Sequence, residues 1–170
     1  VFYEEGTLTI TARPLTVKSK NTEVVYTGDK VYPSGVEVVE PTTLAANQSI
    51  DESSITFNTY AIRAGGPINV APQSFVIRDA ANKDVTANYS IICENGLLTV
   101  TKRDITIAPA DTTVSYDGKS HTIVANVTSG SLGNNDSIEL VTEISGATNA
   151  GEYKNIKINV LDTPGAFDFS

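Results

Sequence analysis

Two stretches decide how this chain is read: Glu4-Glu5-Gly6-Thr7-Leu8-Thr9-Ile10-Thr11 and Glu94-Asn95-Gly96-Leu97-Leu98-Thr99-Val100-Thr101. They lie 90 residues apart, and the match runs on downstream. Arg13, Thr16, Thr22, Val24, Tyr26 and Gly28 recur as Arg103, Thr106, Thr112, Val114, Tyr116 and Gly118. Residues 1–30 and 91–120 share 11 identities without a gap, the mark of an internal repeat. Further on, Gly66-Pro67-Ile68-Asn69-Val70 aligns with Gly146-Ala147-Thr148-Asn149-Ala150 at an offset of 80. The first repeat therefore carries about ten extra residues, placed between Pro41 and Asp51, where turn residues replace any strand pattern.

Within both stretches apolar residues alternate with threonine, the period of a half-buried strand. Leu8, Ile10, Leu98 and Val100 are expected to face inward and their threonines outward. The same alternation marks Leu15/Val17, Val36/Val38, Ile55/Phe57 and Phe75/Ile77. In the second repeat it marks Ile105/Ile107, Ile123/Ala125/Val127, Ile138/Leu140/Ile144 and Ile156/Ile158/Val160. Thr27-Gly28-Asp29, Asp117-Gly118, Gly133-Asn134-Asn135-Asp136 and Asn149-Ala150-Gly151 separate them as turns.

Composition agrees. Of 170 residues, 21 are Thr, 17 Val and 15 Ile, against 8 Leu. β-branched side chains lose rotamer freedom on a helix and pack well on a pleated surface. The expected fold is all-β: two tandem small antiparallel domains of Ig-like β-sandwich type. A short helix over Thr42 to Ser54 would instead give a β-grasp-like arrangement. The boundaries read as 1–12 (the closing strand of a preceding repeat), 13–102 (repeat one) and 103–170 (repeat two, without its closing strand). Only Lys102 and Arg103 separate the strand patterns at the junction, too short a linker for free swinging, so a semi-rigid array is expected. The chain opens inside a strand pattern with no basic-then-apolar leader, and reads as an internal fragment.

A net charge of −8 disfavours nucleic acid and anionic lipid, and no apolar run is long enough for membrane insertion as a helix. One His, one Cys and no Met or Trp leave little for metal or nucleophilic chemistry. Cys93, between Ile92 and Glu94, reads as a buried small apolar group. His121 lies near Ser115, Asp117 and Ser120, but no nucleophile elbow surrounds the serines. Glu4-Glu5 and Asp51-Glu52 read as solubilising carboxylates, and Gly133 to Ser137 as a turn with too few carboxylates for calcium. No catalytic, cofactor or metal residue is expected. Tyr26 and Tyr116, at the same place in each repeat, are the candidate glycan contacts, weighed against a role at the core edge. Lys18 and Lys157 are candidates for an isopeptide crosslink on alternation alone. No exposed cluster of aromatic and amide side chains is evident.

The motifs together resemble the tandem repeats of Gram-positive surface proteins known as MBG or YDG-type domains. The resemblance rests on Glu5-Gly6-Thr7-Leu8-Thr9-Ile10, Asn95-Gly96-Leu97-Leu98-Thr99-Val100 and Tyr116-Asp117-Gly118-Lys119. It rests also on Asn149-Ala150-Gly151-Glu152-Tyr153 and Asp84-Val85-Thr86-Ala87-Asn88-Tyr89. Repeat one departs from the pattern at Thr27-Gly28-Asp29 and Ala71-Pro72-Gln73. The resemblance implies a noncatalytic, secreted, wall-attached module, adhesin-like, whose partners are neighbouring repeats and, in a second reading, host mucin or glycan. Residues Val1 to Thr11 match a closing strand that does not follow Phe167-Asp168-Phe169. Residues Val1 to Thr11 are therefore expected either to stay loosely ordered or to complete the open sheet of a neighbouring chain by head-to-tail strand exchange, with repeat one standing in the way of the same exchange within one chain.

Overall fold

The computed structural model describes residues 4–134, 136–137, 139–142, 146–154, 158–161 and 167–169; for the strands at 139–142, 158–161 and 167–169 it describes the backbone alone. Thirteen strands are present among them: β1 (Arg13–Ser19), β2 (Thr22–Val25), β3 (Val36–Val38), β4 (Ser49–Phe57), β5 (Gly65–Val70), β6 (Pro72–Arg78), β7 (Tyr89–Glu94), β8 (Gly96–Thr101), β9 (Arg103–Pro109), β10 (Ala125–Ser129), β11 (Glu139–Thr142), β12 (Ile158–Leu161) and β13 (Phe167–Phe169). A single 3-10 turn, Thr86–Asn88, is the only helical element described. The protein is all-β, with several small, mostly antiparallel sheets consistent with sandwich-type domains. The helix entertained for Thr42 to Ser54 does not form. Ser49–Phe57 is β4 instead, its Ile50, Ile55 and Phe57 packed part-buried against β6 or its surroundings, and the β-grasp alternative loses its helix.

The chain divides into two compact units. The first comprises Val1–Thr22, Val31–Tyr60 and Pro67–Leu98; the second comprises Glu23–Lys30, Ala61–Gly66 and Thr99–Ser170. In the first, a sheet of order β3-β1-β7 accompanies the β4-β6 pair. β1 runs antiparallel to β3, with Val17 opposite Val38, and parallel to β7, with Arg13 opposite Tyr89. The core is Leu15 and Val17 of β1 and Phe75 and Ile77 of β6, alternate residues on each strand, together with Tyr89 of β7. The insertion between β3 and β4 ties down one end of this sheet. The Thr42 hydroxyl accepts from the Thr16 amide at 2.9 Å, Arg13 Nη2 donates to the Thr43 hydroxyl at 2.7 Å, and the Ala45 amide donates to the Tyr89 hydroxyl at 2.8 Å.

The second unit repeats the design. Its sheet has the order β10-β9-β13, with β9 antiparallel to β10 and parallel to β13, beside an antiparallel β11-β12 pair. Arg103 repeats the anchoring role of Arg13, donating through Nη1 to the Ser131 hydroxyl at 2.8 Å and the Leu132 carbonyl at 3.2 Å. The parallel pairs β1-β7 and β9-β13 depart from the purely antiparallel expectation. Alternation tells which face of a strand is buried; it is silent on the direction of the neighbour.

A third sheet, of order β2-β8-β5, is built from strands that each contain a unit boundary. Leu98 and Val100 of β8 are fully buried, as expected. Gly96 is required by close approach: a Cβ there would lie 2.1 Å from the Ser19 carbonyl oxygen. Only Lys102 separates β8 from β9.

Three expectations are corrected. Leu8 and Ile10 are 87% and 88% exposed, because no described strand pairs with residues 4–12. Cys93 is exposed: burial falls along one face of β7 from Tyr89 through half-buried Ile91, so that Cys93 lies beyond the core, although partial desolvation still raises its thiol above the ordinary value. Finally, the sequence of repeat two shows no counterpart of Asn88-Tyr89, yet Phe167 pairs with Arg103 as Tyr89 pairs with Arg13, so β13 holds the place of β7. Val1 to Tyr3, Ile138, Ile144, Ile156 and Lys157 lie outside the described residues.

Candidate functional site

The two recurring tyrosines have opposite surroundings. Tyr26 is 3% exposed, and its hydroxyl donates to Asp136 Oδ1 at 2.9 Å. Its carbonyl accepts from Arg103 Nε at 2.9 Å, and its amide donates to the Thr101 carbonyl at 2.9 Å. The turn after it is equally enclosed. Gly28 has a φ of +84°, where a Cβ would stand 2.2 Å from the Asn134 carbonyl oxygen. The Asn134 amide donates to the Thr27 carbonyl at 2.7 Å. Tyr26 is thus a structural residue with no face for a ligand, and Gly133 to Asp136 is a turn, its Asp136 amide donating to the Gly133 carbonyl at 3.2 Å.

Tyr116, by contrast, is 70% exposed. It lines a groove of about 520 Å³ whose walls are residues 111–114 and Tyr116 on one side and 147–153 on the other, with residues 121–123 also lining it. Among the described residues, none donates a backbone hydrogen bond to residues 112–116 or accepts one from them. Val114 is half exposed, and Tyr153 donates its hydroxyl to the Asn149 carbonyl at 3.0 Å on the opposite wall. The turn below Tyr116 is held by Asp117, whose Oδ1 accepts from the Lys119 amide at 2.9 Å and contacts His121 Nε2 at 2.8 Å. These bonds hold the Asp117 carboxyl below its ordinary value. Thr27 does the same work in repeat one, its hydroxyl accepting from the Asp29 amide at 3.3 Å. This accounts for threonine in repeat one where repeat two has aspartate: an Asx-type turn and its hydroxyl counterpart serve the same geometry.

His121 thus has a carboxylate partner, and the Ala147 backbone bridges to its own. No serine hydroxyl is bonded to it among the described residues. The Ser120 hydroxyl lies against Gly146, at 1.9 Å from where a Cβ would stand. Asp51 is committed to structure: Oδ2 pairs with Arg78 Nε at 2.7 Å, and Oδ1 accepts from the Ser53 hydroxyl at 2.6 Å. The hydrogen bonds from Ser53 and then Arg78 lower its pKa. Lys18 sits half-buried in β1 between Glu37 and Glu94, its register partners on the two flanking strands. Among the described residues no group of His, Cys, Asp and Glu is placed to hold a metal ion, and no helix is long and apolar enough to cross a membrane.

Two aromatic clusters escaped sequence reading. One is the groove, which carries Tyr116 on one wall and Asn149 and Tyr153 on the other. The other is in the first unit: Tyr32 stacks on Phe57 with ring centroids 6.2 Å apart and tilts against Tyr60 at 5.7 Å. Tyr32 and Tyr60 are 43% and 39% exposed. Tyr32 and Tyr60 lie between strands and meet Phe57, the last residue of β4, so no strand spacing in the sequence announces them. Comparison with protein-family models, curated proteins and solved structures found no match.

Proposed function

We propose that this chain is a noncatalytic, extracellular repeat module of a bacterial cell-surface protein, serving as a spacer or stalk for adhesion. The observation that carries this reading is the duplicated strand order, β3-β1-β7 in one repeat and β10-β9-β13 in the next, with Lys102 alone between the last strand of the first repeat and the first of the second. A unit copied with its topology and joined without a linker adds length by adding copies. Its acidic surface keeps such an array soluble and repels the anionic polymers of a cell envelope. The test places one, two or three copies of the 170-residue chain between a Gram-positive wall anchor and a small binding domain. Capture of a bead-sized ligand should rise with copy number, and a flat response would defeat the spacer role.

The aromatic clusters favour a second reading, direct binding of mucin or glycan. Exposed tyrosines stack on sugar faces, and Tyr32/Tyr60 and Tyr116/Tyr153 offer such surfaces. On a glycan and mucin array, Tyr116→Ala and Tyr32→Ala, measured separately, would assign any binding to one cluster. Silence of the unaltered chain at millimolar ligand removes this reading.

A further inference from the structure

We infer that β7 of the first unit pairs with β7 of a second copy of this chain, antiparallel and centred on Ile92, so that the β3-β1-β7 sheet continues across a two-fold dimer. The inference is independent of the spacer role, and every residue it uses lies between Arg13 and Glu94.

An unpaired edge strand invites the addition of another chain, and proteins blunt such edges by shortening, bending, charging or covering them. Three edges of the first unit are blunted in these ways. β3 is only three residues long. β4 is broken by a register shift between Asp51 and Thr56 and carries Glu52 within the break. The outer side of β6 is covered by residues 84–86: the Val85 amide donates to the Ile77 carbonyl at 2.9 Å, and the Ile77 amide donates to the Thr86 hydroxyl at 2.8 Å. β7 differs from all three. It pairs with β1 over six consecutive residues without a shift, contains neither proline nor lysine, and carries a charge only at its last residue, Glu94. Among the described residues, no backbone hydrogen bond outside that pairing involves residues 90–94. Ile92 is 61% exposed, and Cys93 is exposed beside it.

The pattern of β7 points to a second copy as the partner. Read about Ile92, the strand is self-complementary: Ile91 and Cys93 flank the centre, and Ser90 and Glu94 lie beyond them. A two-fold contact needs that property, because residue i meets j and j meets i. Antiparallel pairing about Ile92 sets Ile92 against its own copy, Ile91 against Cys93 and Ser90 against Glu94. Ser90, Ile92 and Glu94 share the outer face of the sheet, while Ile91 and Cys93 lie on the face of the core. Exposed Ile92 thus gains an apolar neighbour, Cys93 comes to lie beside a half-buried isoleucine, and Glu94 meets a serine in place of a second carboxylate. Within its own copy Glu94 already stands opposite Lys18 of β1. A slip of one residue would set the core face of one copy beside the outer face of the other. A slip of two would set Ile92 against Ser90 or Glu94.

The contact joins like surfaces and closes: each copy uses its β7 edge once, and the short β3 strands end the joined sheet on both sides. Geometry then separates two neighbouring positions. The two Ile92 Cα atoms stand about 5 Å apart across the pair, within reach of a disulfide had they been cysteines. The two Cys93 Cα atoms lie on a diagonal of about 8 Å, beyond the roughly 7 Å that a disulfide bridges. Pairing in this register therefore shields Cys93 without cross-linking it.

The experiment uses the whole 170-residue chain, reduced, in sedimentation velocity from micromolar to millimolar concentration. Average mass should rise to that of a dimer and stop there, and the Cys93 thiol should react more slowly with a maleimide as the dimer forms. Ile92→Lys puts a charge at the centre of the pairing and should weaken association by at least about tenfold. The residue is exposed, so the variant should keep the native circular dichroism. Cross-linking reads the register. With copper–phenanthroline added to take the two electrons of each thiol pair, Ile92→Cys in a Cys93→Ser background should form a disulfide dimer rapidly, and the unaltered chain should not. A chain monomeric at every concentration overturns the inference, as does growth beyond the dimer or association that a folded Ile92→Lys variant leaves untouched. Faster cross-linking of the unaltered chain than of the Ile92→Cys/Cys93→Ser variant means another register and overturns it too. Should Ile92→Lys unfold the chain, the cross-linking comparison decides alone.

Discussion

Gly96–Thr101 and residues 6–11 differ at only two of six positions, yet one segment is the centre of a sheet and the other pairs with no described strand. Leu98 and Val100 are shut away while Leu8 and Ile10 stand in solvent. A strand pattern specifies which side chains belong inside; only a partner on each edge makes an inside exist. Tyr26 and Tyr116 make the same point for a loop, one enclosed by Gly133 and Asp136 and the other open.

Paired substitutions across the repeat probe that contrast. The largest difference is expected for leucine: Leu98→Ala should lower unfolding stability by about 2–5 kcal/mol through lost burial and a cavity, while Leu8→Ala in the monomer should change it by less than about 0.5 kcal/mol. Equal losses in urea would show that the N-terminal segment is already packed. Glycine comes next. Gly96→Ala drives a methyl into the Ser19 backbone and should cost on the order of 1–3 kcal/mol, whereas Gly6 has nothing within 4 Å and its alanine variant should be neutral in the monomer. Thermal melts of the two variants decide the matter.

The tyrosines should differ by a similar or smaller margin. Tyr26→Phe removes the only hydrogen bond described for the Asp136 carboxylate, whose Oδ2 is already buried without a partner, and should cost about 1–3 kcal/mol. Tyr116→Phe should stay within about 0.5 kcal/mol in chemical denaturation. A matching loss at Tyr116 would mean that its hydroxyl is engaged after all. The smallest effect is the acid dependence of Asp51. Its folded pKa lies below 3.8, so the stability it contributes is complete above the unfolded value and disappears as the pH falls through the folded one. Asp51→Asn should therefore flatten the stability profile below about pH 4 and leave its shape near neutrality unchanged. A variant whose profile still falls as steeply in acid would assign that fall to other carboxylates.

Much of the architecture was legible because burial on one face writes itself as alternation. Leu15/Val17, Phe75/Ile77 and Leu98/Val100 are all core or buried positions, and the junction at Lys102 is as short as the pattern indicated. The parallel neighbours of β1 and β9 were not legible, since a side-chain period carries no strand direction. Phe167 hid its equivalence to Tyr89 because register, and not residue identity, defines it. The Tyr32/Phe57/Tyr60 cluster was invisible for a related reason: residues far apart in sequence meet there only after β3 and β4 have found their sheets. The groove was not legible because its lining residues around Tyr116 and around Tyr153 are far apart in sequence and come together only on folding.

The placement of β8 bears on how the chain is made. The strand at the centre of the β2-β8-β5 sheet is the last one in its repeat to be synthesised, and β1, the first, waits for β7 to arrive as its parallel neighbour. Pairings so distant in sequence form slowly, because loop closure must precede any gain from pairing. Translation delivers residues at only about 5–20 per second. A nascent repeat therefore spends seconds with its middle strand still unmade, exposing a slot that any segment of matching pattern can enter, including the previous repeat's own closing strand. In a chain whose repeats share strand patterns, order of emergence helps to match each strand to its own sheet.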